Sequence, residues 1–279
     1  MSLAALTVHQ ALRQARAQGV ERLDTQLLLC AALQQSRTWL LAHDTDPLSP
    51  EQQARFEGWL ERRVAGEPLA YILGDKEFFG LTLSVSPDVL IPRPDTETLV
   101  DWALSLIPDS HPDRPFTVLD LGTGSGAIAL AIQHQRPQAQ VSAVDASEAA
   151  LRVAQANARQ LNLPVRFHHG SWLAPVAGQR FDLIVSNPPY IAEGDPHLAA
   201  LGHEPRQALT AGPDGLDDLR AIILAAPTHL NPGGWLLLEH GYDQSVAVSQ
   251  LLRDSAFANV STRFDLGGQP RCTGGCFQT

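Results

Sequence analysis

The sequence predicts an α/β protein, an open and mostly parallel sheet with helices on both faces, preceded by a small helical bundle and a connecting β-hairpin. Three observations carry this reading. Strand-like and helix-like segments alternate from Phe116 onward, a glycine-rich loop stands where the first of those strands turns into a helix, and residues 1–73 show helical spacing. At 279 residues with 44% hydrophobic side chains, the chain can build one large domain and a smaller one, each with its own core.

In order, Thr7 caps a helix that stops at Gly19, and Asp24 or Thr25 opens a second through Leu33. Ser49-Pro50-Glu51-Gln52 combines a capping box with proline at the first helical position and starts a third helix that runs to Gly66. Leu6, Val8, Leu12 and then Leu27, Leu28, Leu33 give these helices an apolar face, and no chemistry is visible among them. Residues 74–90 change pattern: Glu77-Phe78-Phe79, Gly80, then alternation over 81–85 reads as a two-stranded connector. The larger domain, 91–279, starts a helix at Pro94-Asp95-Thr96. Strands are expected at 116–121, 141–145, 165–168, 181–186, 235–239 and 260–264, with helices at 126–135, 147–161, 216–230 and 243–253.

Composition removes several function classes. Lys and Arg total 20 against 30 Asp and Glu, a formal charge of −10, which opposes tight binding to a phosphate backbone, so no stable nucleic-acid binding is expected. Cys30, Cys272 and Cys276 are too few and wrongly spaced for a disulfide framework or a zinc site, and read as free thiols in a reducing compartment. His168 and His169 are adjacent on a strand and face opposite sides, so no metal site is expected there. The first residues turn polar by Thr7 without the pattern of a secretory signal, and no apolar run approaches the length of a membrane span. A cytoplasmic location and no membrane partner follow as expectations.

The chemistry concentrates at two loops. In Asp120-Leu121-Gly122-Thr123-Gly124-Ser125-Gly126, glycines let the backbone approach a ligand and aim helix N-terminal amides at it. The spacing Gly122, Gly124, Gly126 competes with a loose dinucleotide fingerprint through Gly122, Gly124 and Ala127, and with a tight packing turn that binds nothing. Asp145 closes the next strand at the carboxyl edge of the sheet, where a carboxylate can accept from ribose hydroxyls or cap the helix at Ser147.

The second loop is Asn187-Pro188-Pro189-Tyr190, directly after the 181–186 strand. Two prolines remove two backbone donors and restrict Asn187, leaving carbonyl acceptors at the sheet edge. The Asn187 oxygen and the Pro188 carbonyl can receive both hydrogens of one NH2 group, while Tyr190 lies over a planar amide or base. That suits methylation of a planar nitrogen, because fixing its N–H bonds aims the lone pair and stabilises the developing positive charge. The alternative is a rigid turn with a core tyrosine.

With the glycine loop, this tetrapeptide resembles the amino-methyltransferases that act on adenine, cytosine, guanine or glutamine nitrogens. Glu77-Phe78-Phe79-Gly80, Leu90-Ile91-Pro92-Arg93-Pro94-Asp95-Thr96-Glu97 and Glu239-His240-Gly241 narrow the resemblance to the HemK-type protein-(glutamine-N5) methyltransferases of peptide chain release factors. The resemblance implies a class I, Rossmann-like S-adenosylmethionine-dependent fold, with S-adenosylhomocysteine as product. It also implies a substrate, the glutamine in the Gly-Gly-Gln motif of a class 1 release factor, and a helical N-terminal domain that recognises it.

Carried over by position, Gly122, Thr123, Gly124, Ser125, Gly126, Asp145 and Asn187 hold the cofactor and Trp172 borders its adenine, where simple core packing is the alternative. Ser171 stands where the family commonly has Asp. Asn187, Pro188 and Tyr190 carry the catalytic role, and Asn187, Pro188, Pro189, Tyr190, Arg93 and Glu97 the substrate, with helix capping or an ion pair as the alternative for the 93–97 segment. Two further readings stay open: an amino-methyltransferase acting on a nucleic-acid base, and a protein that binds the cofactor without catalysis. Gly267-Gly268-Gln269 repeats the expected substrate tripeptide within the chain, and coincidence is the simplest account of it.

Overall fold

Capping chemistry sets the first helices of the computed structural model, which describes residues 5–109 and 114–278. The chain divides into two units, Met1–Asp75 and Lys76–Thr279. In the first, α1 (Val8–Ala17) and α4 (Pro50–Val64) each start with a complete capping box, Thr7 with Gln10 and Ser49 with Gln52. Between them, α2 (Arg22–Leu33) begins slightly ahead of the expected Asp24 or Thr25, whose hydroxyl donates to the Glu21 carbonyl instead of capping. The short helices α3 (Arg37–Ala42) and α5 (Leu69–Leu73) are additions to the sequence reading, since neither spans enough turns to display a period. Leu28, Leu29, Leu40, Leu48, Phe56 and Leu60 form this unit's core.

The larger unit opens on the hairpin of β1 (Asp75–Phe78) and β2 (Leu81–Ser84), turned by Phe79 and Gly80 at positive φ. Phe78, Leu81 and Leu83 join the core of this unit. Asn157, on α8 (Glu148–Leu161), accepts from Ser84 N at 2.8 Å and donates to Ser84 O at 3.0 Å.

Seven strands form the main sheet in the order β5-β4-β3-β6-β7-β9-β8. The strands β3 (Thr117–Leu121), β4 (Gln140–Asp145), β5 (Arg166–His169), β6 (Phe181–Ser186) and β7 (Leu230–Glu239) are parallel, and β8 (Phe257–Phe264) and β9 (Pro270–Phe277) close one edge in antiparallel pairing. Successive strand residues face opposite sides. Val118, Leu183, Val185 and Leu237 pack with α6 (Glu97–Leu106) and α7 (Ala127–Gln135), while Leu119, Leu121, Ile184, Leu236 and Leu238 pack with α9 (Asp217–Ala225) and α10 (Ser245–Asp254). The helix expected over 216–230 ends early, in a 3-10 turn over Ala226–His229 that contains Pro227, and β7 starts at Leu230.

Chain order reverses at β3, with β4 and β5 on one side and β6 and β7 on the other. That makes the carboxyl ends of β3, β4 and β6 a topological switch point, the usual place for a ligand in such sheets.

Strand β9 is the strand of the main sheet that the sequence reading lacks. Its glycines look like breakers in isolation, but they allow close approach to β7: a Cβ at Gly274 would lie 2.4 Å from Leu237 Cδ2 and 2.7 Å from the Leu236 carbonyl. Gly274→Ala is therefore expected to destabilise the protein by about 1–3 kcal/mol, the usual cost of overpacking. Urea unfolding followed by circular dichroism measures it, and an unchanged midpoint would show that β7 and β9 separate freely.

Candidate active site

At the switch point lies a cavity of about 950 Å³, open mouth included, lined by Gly122, Gly124, Asp145, Trp172, Asn187 and Pro189 among others. The loop after β3 is pinned from beneath, because Gly122 N and Thr123 N both donate to the Val144 carbonyl, at 2.9 and 3.0 Å. All three loop glycines have positive φ, and they divide the work. Gly122 faces the Trp172 ring, which a Cβ at this position would meet at 3.4 Å, and Gly124 has open space in that direction. Gly126 instead packs at the start of α7, where a Cβ would meet Leu130 at 3.0 Å and Ala154 at 3.3 Å.

Thr123 and Ser125 are buried under the loop and do not line the cavity. Thr123 donates to Asp120 Oδ2 at 2.6 Å, and the Ser125 carbonyl accepts from Asn157 at 2.9 Å. Asp120 also accepts from Ala129 N, but its Oδ1 is buried without a partner, and burial pushes the carboxyl up to about 7.

Asp145 is fixed by two backbone donors, Gly124 N to Oδ2 at 2.8 Å and Ser147 N to Oδ1 at 2.9 Å. The cap of α8 is Ser147, which accepts from Ala150 N, so Asp145 is held at the cavity with lone pairs to offer. Trp172, at a positive φ of 45°, lies close to Asp218, and both line the cavity. Burial raises the Asp218 carboxyl, with the nearby Trp172 indole acting against it.

After β6, the Ser186 hydroxyl donates to the Leu121 carbonyl at 2.7 Å, tying the next loop to β3. The Asn187 amide donates through Nδ2 to Thr96 Oγ1 at 3.1 Å. Pro188 is buried, Pro189 lines the cavity, and Tyr190 points its hydroxyl at Glu239 Oε1, 3.3 Å away at the end of β7. Burial, and then the neighbouring Glu239, push the Tyr190 phenol far up, and burial lifts Glu239 to about 7.

Arg93 and Glu97 lie outside the cavity lining. Arg93 forms an ion pair with Glu204, whose side chain is 3% exposed and also accepts from Ile91 N at 3.2 Å. This pair ties the 91–93 segment to the loop that carries Pro205, Gln207 and Ala208 to the cavity wall. Glu97 accepts from Phe79 N at 3.1 Å and so braces the hairpin turn. Asp95 pairs with Arg271, which also pairs with Asp265, each at 3.1 Å. Gly267-Gly268-Gln269 forms the β8–β9 turn, closed by Asp265 N donating to the Gln269 carbonyl.

The residues that sequence reasoning missed are Thr96 as a partner of Asn187, Glu239 as a partner of Tyr190, Asp218 and Glu204. None lies within a recognisable spacing of its partner, and Thr96 has the look of a helix cap, although its side chain caps nothing. Among the described residues no group of three or more His, Cys, Asp or Glu side chains could hold a metal ion, and no helix is long and apolar enough to cross a membrane.

Two family models match the chain, the PrmC N-terminal domain over residues 7–74 and the methyltransferase small domain over 99–212. A release factor glutamine methyltransferase of Coxiella burnetii is 47% identical over 251 residues, covering 90% of each chain. One of Bordetella pertussis is 50% identical, covering 92% of this chain and 95% of its own. Among solved structures, a Pyrococcus furiosus methyltransferase superposes with a TM-score of 0.55 at 20% identity, over 83% of this chain and all of that one. The T. thermophilus 16S rRNA N2 G1207 methyltransferase gives 0.55 at 22% identity, over 73% of this chain and 50% of its own. These distant likenesses establish the class I methyltransferase fold.

The raised carboxyls give a pH signature. Folded Asp120 and Glu239 keep a proton up to about 7, whereas the unfolded chain releases theirs near the ordinary 3.8 and 4.5. The folded state thus binds more protons across that window, and stability falls as pH rises through it. Asp120→Asn is expected to flatten this fall between pH 5 and 8 in urea unfolding. An unchanged slope would mean that Asp120 ionises normally in the folded protein.

Proposed function

The chain belongs to the release factor glutamine methyltransferase family, and from that premise we propose that its switch-point cavity binds S-adenosylmethionine and presents to it the glutamine amide of the Gly-Gly-Gln motif in a class 1 release factor. The observation that carries this is the polarity of Asn187. With Nδ2 engaged by Thr96, its Oδ1 is kept as an acceptor beside the cavity.

The cavity residues fit the cofactor. Asp145 is immobilised by two backbone amides and retains lone pairs for ribose hydroxyls, and the open space at Gly124 is what a close ligand requires there. Trp172 gives a flat apolar surface for adenine. Gly122, Gly124, Asp145 and Trp172 would make direct contact, while Thr123, Ser125 and Gly126 build the loop from below. When bound, S-adenosylmethionine supplies a methyl group activated by its sulfonium charge.

This chain's own residues do the rest. Asn187 Oδ1 and the Pro188 carbonyl accept the two N–H hydrogens of the glutamine amide, which holds the nitrogen in place and aims its lone pair. Both acceptors stabilise the positive charge that grows on nitrogen. No strong base is needed, since the proton leaves after the methyl arrives. Tyr190 lies outside the cavity lining, anchored through its hydroxyl to Glu239, and would offer its ring to the planar amide as it enters. Arg93 and Glu97 serve the substrate indirectly in this reading, by bracing the segments around the mouth. The reaction belongs in the cytoplasm, where release factors act.

Labelled S-adenosylmethionine supplied with intact release factor or with RNA tests the substrate. Label is expected on the release factor alone, at the Gly-Gly-Gln glutamine by tandem mass spectrometry, and label on RNA bases would favour the nucleic-acid alternative. Asn187→Ala is expected to slow single-turnover methyl transfer by about 10² to 10³, the scale of losing one charge-stabilising group in an active site. S-adenosylhomocysteine affinity should stay within a few-fold. A rate near that of the wild type would reduce Asn187 to a turn former.

We assign the helical unit over 1–73 to substrate docking, with 74–90 as connector and 91–279 as the catalytic part. A single glutamine offers little surface, and a second contact away from the reacting atoms supplies binding energy and orientation. Provided the truncated chain stays folded and binds S-adenosylhomocysteine, removing residues 1–73 should cripple methylation of intact release factor. Slow methylation of a short Gly-Gly-Gln peptide should change little. Equal losses on both substrates would reject docking.

A further inference from the structure

We infer that Thr96, backed by Glu239, is a positioning residue that fixes the Asn187 carboxamide with its oxygen toward the substrate. The inference rests on the reading of Asn187 as the acceptor for the glutamine amide. A carboxamide has two ends of nearly the same shape and opposite polarity. Turned one way, Asn187 offers an acceptor to the substrate NH2, and turned the other way it offers a second NH2, so donors would face donors. Something must therefore set the flip.

Thr96 is placed to do so. It is 4% exposed, it stands at the start of α6 without capping it, and its Oγ1 accepts from Asn187 Nδ2 at 3.1 Å. A threonine hydroxyl has one proton to give, and the acceptor beside it is the buried Glu239 carboxyl, which Thr96 acts to keep ionised. Glu239 is 1% exposed, and its Oε1 also accepts from Tyr190 while Oε2 has no partner of good geometry. A buried carboxyl with one oxygen already unpaired holds the donors it has, because losing one leaves a further acceptor unpaired away from water.

Consider the flipped amide. Asn187 Oδ1 would then face Thr96 Oγ1, and the hydroxyl proton would have to leave Glu239 to bond it. Glu239 thus sets the direction of the Thr96 hydroxyl, and Thr96 sets the direction of the Asn187 amide. The strand register makes this possible, since Ser186 pairs with Leu238 and the next residues along are Asn187 and Glu239 themselves. One carboxylate then anchors both Tyr190 and, through Thr96, Asn187.

The test is single-turnover methyl transfer to intact release factor at saturating S-adenosylmethionine, with S-adenosylhomocysteine calorimetry on each variant. Thr96→Val keeps shape and removes the hydroxyl, and is expected to slow transfer about tenfold, the worth of one good hydrogen bond. Thr96→Ser restores the hydroxyl and should recover most of the rate. Cofactor affinity should hold in both. Once Asn187→Ala has removed the amide, adding Thr96→Val should cost less than about twofold, since no flip remains to be set. Glu239→Leu, which has no acceptor and also releases Tyr190, should slow transfer at least as much as Thr96→Val. If it does not fold, the valine and serine pair still decides.

Wild-type rates in Thr96→Val alongside a slow Asn187→Ala would overturn the inference and leave the proposed function standing. So would a tenfold loss that persists in the Asn187→Ala background, or one matched by lost cofactor affinity. If Asn187→Ala itself transfers at nearly the wild-type rate, the reading of Asn187 fails first.

Discussion

Leu121 stands in register with Val144 on one side and Ser186 on the other, and this double pairing of β3 is the constraint on which the site depends. Parallel strands in register end at the same edge, so the loops that follow them open into one space. The Val144 carbonyl holds the glycine loop, and the Leu121 carbonyl holds Ser186 just before Asn187. A one-residue slip in either pairing would break those bonds and exchange the side chains that face the two helical layers. The two clusters that cover the sheet therefore also hold the register of the chemistry.

That edge is unusually rich in buried acids. Asp120 beneath the glycine loop and Glu239 beneath the Asn187–Tyr190 loop are both fully enclosed, each with one oxygen lacking a partner. Burying a carboxylate is costly unless it is bonded, and each of these is bonded to a hydroxyl belonging to, or touching, a site loop. The arrangement exchanges stability for order: the loops cannot move without stripping a buried acid of its donors. It also accounts for Thr96 standing at the start of α6 without capping it, since its hydroxyl is engaged by Asn187 beside such an acid.

Much of the fold was legible because its signals are local. Thr7 with Gln10 and Ser49 with Gln52 lie three residues apart, and the alternation of strands and helices needs only period and length. The glycine loop and the Asn187–Tyr190 turn were legible for the same reason, being contiguous. What escaped was set by partners distant in sequence. Gly274 and Gly275 look like strand breakers until β7 and β8 lie against them. Arg93 and Glu204 are 111 residues apart, and Asn187 and Thr96 are 91 apart. No spacing rule connects such pairs.

The same contrast separates what binds from what orients. Gly122, Gly124 and Asp145 depend on backbone conformation and short-range bonds, so a contiguous motif can encode them. An acceptor that must present one particular end of a carboxamide needs a third group to break the symmetry, and that group need only converge in space. Thr96 reaches Asn187 from the start of α6 and Glu239 from the end of β7, which makes selectivity for an NH2 group a property of three chain segments together. An isolated Asn-Pro-Pro-Tyr segment would retain its rigidity and its carbonyls, but it would lose the device that points Asn187 the right way.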